Sequence, residues 1–158
     1  MAQDRQRLTP SLLDRLIDLE PNVPHEPARY RFHSVSQIKS SVVRDLENLL
    51  NTRRNILRPT AAYHEVSSSL FTYGLSDFTA ENPKSPAVRQ KIRLELEKAI
   101  ARFEPRLRNV TVRVETQGEN KRSLRFRISA LLVVDPVSEP VSFDTYFDVN
   151  RSEYRISG

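Results

Sequence analysis

Leu124-Arg125-Phe126-Arg127-Ile128-Ser129-Ala130-Leu131-Leu132-Val133-Val134 sets Leu124, Phe126, Ile128, Ala130, Leu132 and Val134 on one face and turns Arg125 and Arg127 to the other. A period of two is that of a strand with one buried face. The same period lies on either side. Upstream, Val110, Val112 and Val114 alternate with Thr111, Arg113 and Glu115, and Gly118-Glu119-Asn120-Lys121 supplies a turn. Downstream, a turn is expected over residues 136–140, between Pro136 and Pro140. Val141, Phe143, Thr145, Phe147 and Val149 then alternate with Ser142, Asp144, Tyr146 and Asp148, and residues 154–156 can add a short edge strand. This part of the chain reads as an antiparallel meander of three or four strands.

Further back, the period becomes helical. Val88, Ile92, Leu96, Ala99, Ile100 and Phe103 form an inner face behind Ser85-Pro86, a cap followed by proline at the first helical position. Glu104 precedes Pro105, and a pre-proline residue avoids the α region, so this helix should stop there. Val35, Ile38, Val42, Leu46, Leu49 and Leu50 mark a second long helix. Ser34 and Gln37 open it as a capping box, and it should run to about Thr52. Lys39, Arg44, Asp45 and Glu47 fall off its apolar stripe. Helices followed by strands imply an α+β fold, with two long helices on one face of a mainly antiparallel sheet.

Residues 1–33 read as an irregular arm before one domain at 34–158. In the arm, Thr9-Pro10 suggests a cap, and Leu12, Leu13, Leu16 and Ile17 give a short helix one apolar stripe. Pro21, Pro24 and Pro27 then hold the chain extended, as for a segment lying on another surface. Between the long helices, residues 53–85 form a connector with apolar anchors at Leu70, Phe71, Tyr73, Leu75 and Phe78. Its length suggests that it wraps the core or meets a partner. Gly74 should mark a turn with positive φ.

The bulk composition narrows the function. The chain has no cysteine, which excludes disulfides and thiolate metal sites and suits a reducing cytoplasm. Its longest apolar run, residues 130–134, is far shorter than the roughly 20 residues of a membrane helix, so no membrane insertion is expected. The polar N-terminus has no signal-peptide pattern. A net charge of +5 permits nucleic-acid binding, but the arginines are spread along the chain among acids, so solvated surface or an acidic protein partner is the better reading.

Catalytic and cofactor chemistry is hard to assemble here. Three scattered glycines cannot build a phosphate loop, and His25, His33 and His64 lack metal-ligand spacing, so no metal and no cofactor is expected. No serine sits in a nucleophile elbow. Two acids suffice for glycoside hydrolysis, which makes Glu104, Asp144 and Asp148 worth weighing. The aspartates fall on the polar face of a strand. Glu104 has Arg106 two residues away, and a guanidinium lowers a carboxyl pKa where a general acid needs it raised. A salt-bridged contact suits Glu104 better.

Ile100-Ala101-Arg102-Phe103-Glu104-Pro105-Arg106-Leu107 resembles the Glu-Pro-Arg motif of the lysozyme-like baseplate wedge family, which includes the TssE subunits of type VI secretion systems and a wedge protein of contractile-tailed phages. Ser11-Leu12-Leu13-Asp14-Arg15-Leu16 looks like the N-terminal signature of TssE. Residues 42–54 look like its first long helix, and Tyr73-Gly74-Leu75-Ser76-Asp77 looks like its Tyr-Gly-Leu-Pro-Asp loop with Ser76 in place of proline. The resemblance implies a structural role, Gly74 and Asp77 shaping the loop. The implied neighbours are the TssF and TssG wedge subunits and the TssB/TssC sheath, with TssK in the same assembly.

Two contacts follow as expectations. Pro105 would present Glu104 and Arg106 at a fixed angle as anchors in a TssF–TssG cleft, unless the pair only closes the helix-to-strand turn. Sheath strands would add to the edge near the C-terminal strands, which the sequence barely protects, with Arg125, Arg127 and Tyr146 setting register. The rival readings are a peptidoglycan-cleaving muramidase and a basic RNA-binding module. The first lacks an export signal and a second placed acid, and the second lacks adjacent outward aromatics.

Overall fold

The computed structural model describes residues 8–18, 20–25, 32–78, 80–82, 85–115, 123–148, 151 and 153–157. The expected turn at residues 118–121, Val149, and the extended run at Pro27 lie outside them.

Four strands, β1 (Leu107–Glu115), β2 (Ser123–Val134), β3 (Val137–Asp148) and β4 (Glu153–Ser157), pair antiparallel in the order β1-β2-β3-β4. Two long helices, α2 (Val35–Asn51) and α4 (Pro86–Phe103), cover one face of this sheet. The fold is the expected α+β arrangement. The core joins the two helical stripes (Ile38, Val42, Leu46, Leu49, Leu50; Ile92, Leu96, Ala99, Ile100) to Leu107, Val112, Phe126, Ile128, Leu132, Val141, Phe143 and Tyr154. Each large side chain fully buried there contributes roughly 1.5–3 kcal/mol.

Three local features depart from the alternation. β1 begins at Leu107, earlier than the valine pattern, because Asn109 sits at φ 53° where the register slips between Arg108 and Thr111. The extra residue is a bulge that brings Leu107 back to the side facing the helices, and asparagine is among the few side chains that accept this conformation. β3 also starts early. Only Asp135-Pro136, joined by a cis peptide bond, separates it from β2, and Pro140 lies inside the strand opposite Leu131. β4 pairs only with residues 144–148, so β3 is itself the edge at Pro140, where a missing N–H costs no ladder bond.

Two short helices, α1 (Leu12–Leu16) and α3 (His64–Ser67), flank α2 along the chain. In the connector, Leu75 is buried, but Leu70 is 80% exposed and Phe71 is exposed too, so they do not anchor it. Tyr73 and Phe78 pack against the core, and between them and α3 the buried Thr72 hydroxyl donates to the Ser67 and Ser69 carbonyls at 2.9 and 3.1 Å. Gly74 adopts φ 99°, and a Cβ there would strike the Thr52 carbonyl. That closeness lets Leu75 N donate to Thr52 O at 2.9 Å and Arg54 N donate to Leu75 O at 2.8 Å. Arg53 pairs with Asp77 at 3.3 Å, and Ser76 links Arg54 to Glu95.

Candidate functional site

The end of α4 is fixed by its sequence. Glu104 is non-helical at φ −121° and ψ 80°, as a residue before proline prefers, and its N–H still donates to Ile100 O. Leu107 N returns to Glu104 O at 3.1 Å, and the chain enters β1. This tight corner leaves Pro105 exposed and turns Glu104 inward, at 4% exposure.

Arg106 closes over Glu104. Its Nε lies 2.6 Å from Oε1 and its Nη2 lies 2.6 Å from Oε2. Nη2 also reaches Asp45 Oδ2 at 2.6 Å, and Nη1 donates to Ser41 Oγ at 3.2 Å. Ser41 and Asp45 are one turn apart on α2. Arg44 bonds Asp45 Oδ1 at 2.8 Å and Asp14 Oδ1 at 2.7 Å. Three carboxylates and two guanidinium groups therefore form one network that ties α1, α2, the end of α4 and the start of β1 together.

At Asp14, Arg44 and Arg106 burial opposes the charge, and pairing overrides it. Burial would raise the Asp14 carboxyl, but hydrogen bonds from Ser11 and Arg44 hold it below the usual carboxylate range. Burial would likewise lower Arg106, yet Glu104 and then Asp45 hold it well above its ordinary value. The neighbouring Tyr73 hydroxyl is raised, first by burial and then by the Asp45 and Glu104 charges.

Helix α1 starts later than the sequence suggests. Ser11, not Thr9, is its N-cap, in a capping box with Asp14. Asp14 points inward, whereas Leu12, Leu13 and Leu16 are 72%, 53% and 74% exposed. The ionic network orients the helix, so its apolar stripe faces solvent. The signal that locates Asp14 is the Ser-x-x-Asp spacing; nothing local to residue 41 or 45 marks Ser41 or Asp45.

A cleft of about 310 Å³ opens beside the corner, with Leu13, Leu49, Tyr73, Phe103 and Pro105 as its apolar wall and Asp45, Glu104 and Arg106 as its polar floor. Tyr73 and Phe103 meet edge to face, their centroids 5.1 Å apart. The cleft brings together Glu104, Pro105 and Arg106, with the first and last bonded to each other. Gly74 and Asp77 lie in the loop behind Tyr73.

Arg125, Arg127 and Tyr146 are elsewhere, exposed on the far face of the sheet, on the two central strands. They do not border an edge. The edges themselves are guarded in part, β4 more fully than β1. Asn51 on α2 accepts from Tyr154 N at 2.7 Å and donates to Tyr154 O at 2.9 Å, while Glu47 accepts from Ile156 N at 2.9 Å. On the opposite edge, Glu97 on α4 accepts from Val112 N at 2.9 Å and is itself held by Arg93. These bonds satisfy backbone groups that would otherwise recruit another strand.

Among the described residues no group of three or more histidine, aspartate or glutamate side chains is arranged to hold a metal ion. No helix among them is long and apolar enough to cross a membrane.

No curated protein matches the chain. Among solved structures, a chain of "The baseplate complex from the type VI secretion system" is similar at 19% identity and a TM-score of 0.49, over 70% of this chain and 94% of that one. The family model of baseplate wedge protein gp25 matches residues 36–137, from the first turn of α2 to the first residue of β3. That match spans more than half of the sequence, and the chain belongs to the baseplate wedge protein gp25 family.

Proposed function

We propose that this chain is a non-catalytic structural subunit of a type VI secretion baseplate wedge, which docks the TssF–TssG core and joins it to the TssB/TssC sheath. TssK belongs to the same cytoplasmic assembly. The observation that carries the docking reading is the cleft at the α4–β1 corner. Its apolar wall comes from α1, α2, the connector and α4, and the ionic network fixes α1, α2 and the end of α4 against one another. A surface held rigid before binding loses little entropy when a partner arrives. Glu104 and Arg106 shape the floor, and Leu13, Phe103 and Pro105 supply the apolar contact. A muramidase reading fares poorly on the same geometry, because both Glu104 oxygens accept from Arg106.

The sheath contact belongs at the β1 edge. β4 is closed by Asn51 and Glu47, whereas on β1 only Val112 is met by a helix side chain. Val114, two residues on, points its backbone the same way and is free among the described residues. An incoming strand can begin there.

Co-purification of the tagged chain with wedge and sheath proteins tests the reading. TssF, TssG and sheath subunits should be recovered with wild type. Recovery of none of them would overturn it.

A further inference from the structure

The sheet face turned away from the helices carries four arginines, of which the fold pairs only two with acids. Arg113 on β1, Arg125 and Arg127 on β2, and Arg155 on β4 are all exposed there, around Tyr146 on β3. Arg127 is satisfied, with Asp144 at 2.8 Å and Glu115 at 3.2 Å. Arg155 has Glu153 at 3.6 Å. Arg113 and Arg125 have no acidic partner among the described residues.

Their placement is unfavourable for an isolated sheet. Arg113 stands directly opposite Arg127, and like charges at such a position weaken the pairing. Glu115 stands opposite Arg125 yet bonds Arg127 instead. Arg125 lies two residues from Arg127 on the same face, about 7 Å along the strand. Tyr146 stands in register between Arg125 and Arg155 and is 39% exposed.

We propose that this outer face docks an acidic segment of a partner protein, whose carboxylates take charge-assisted bonds from Arg113 and Arg125 while its backbone lies over Tyr146. The guanidinium fork matches a carboxylate, and a partner's negative charge removes the Arg113–Arg127 conflict. A nucleic acid fits less well. Glu115 and Asp144 are interleaved with the arginines and would oppose a continuous phosphate chain, and one tyrosine makes no stacking platform. This face is opposite the helix layer, so the corner cleft and the arginine cluster can succeed or fail separately.

The full-length chain is titrated into fluorescein-labelled poly-L-glutamate at low salt, followed by anisotropy, with polyuridylate as the competing probe. Wild type should bind polyglutamate, less tightly as salt rises. Arg113→Glu and Arg125→Glu should each weaken binding by about tenfold or more, while Arg58→Ala on the connector should leave it unchanged. Arg113→Glu also places an acid opposite Arg127, so its Tm should equal or exceed that of wild type; a merely structural role for Arg113 predicts the reverse. Undetectable polyglutamate binding by wild type, undiminished binding by Arg113→Glu, or tighter binding of polyuridylate would each overturn the proposal.

Discussion

Arg106 meets Glu104 side-on, each of two guanidinium nitrogens 2.6 Å from a different carboxylate oxygen. The pair is not isolated, since Arg106 also holds Asp45 and Ser41. The two partners are therefore unequal. Arg106→Ala leaves Glu104 buried without its cation and should cost about 3 kcal/mol. Glu104→Ala leaves Arg106 still bonded to Asp45 and should cost less, about 1–2 kcal/mol. Arg106→Lys should restore only part of the loss, because an ammonium cannot bridge both oxygens in the same plane. Urea denaturation of the three variants checks the order, and a larger loss for Glu104→Ala than for Arg106→Ala would contradict the network as drawn.

Asp14 gives the network a pH signature. Its carboxyl is held below the usual range in the folded chain, so the unfolded chain binds the proton more readily. Its contribution to stability is complete above the unfolded value of about 4 and is lost as pH falls through the lower folded value. Asp14→Asn should therefore be less stable than wild type at neutral pH, and its deficit should shrink below pH about 4. Thermal melts across the acid range measure this. A deficit that is constant with pH would assign the effect to packing.

The carboxamide of Asn51 holds both the N–H and the carbonyl of Tyr154. Asn51→Ala should free the middle of β4, costing roughly 1–3 kcal/mol for the groups left unpaired. Hydrogen exchange should show faster exchange at Tyr154 and Ile156 with the β2–β3 pairing unchanged. Size-exclusion chromatography should also show more self-association, because the opened edge can pair with a second copy.

The period of the side chains made much of this architecture legible. The stripes Ile38 to Leu50 and Ile92 to Ile100 were readable because apolar contact decides both helix faces. The Ser34 box and the stop at Glu104-Pro105 were local chemistry and therefore visible. Hydropathy gives α1 its apolar stripe but not the side to which that stripe turns. That side depends on Arg44 and Arg106, which are distant in sequence. Asn109 hid the start of β1 because a bulge breaks the period. Pro140 hid the start of β3 because its harmlessness depends on how short β4 is. Glu47 falls off the α2 stripe and nothing local marks Asn51 or Glu97, so only the packed sheet reveals the three as guards of its edges.

Gly74 links the connector to α2 through a conformation that side chains rarely adopt. Gly74→Ala must accept φ 99° and push the Thr52 carbonyl away, so a loss of about 2–3 kcal/mol is expected. Differential scanning calorimetry checks it. A Tm equal to that of wild type would mean that the bonds of Leu75 to Thr52 and Arg54 do not require this turn.

Leu13 is 53% exposed and lines the corner cleft, so Leu13→Asp should leave the fold and its Tm intact while spoiling the surface that a wedge core would cover. The central claim is that this corner is a docking surface, and calorimetric titration of a purified TssF–TssG core into wild type, Leu13→Asp and Arg106→Ala tests it most directly. The account predicts a loss of affinity of about tenfold or more for Leu13→Asp at unchanged stability, and a comparable loss for Arg106→Ala at temperatures where it remains folded. Undiminished binding by both folded variants would contradict it.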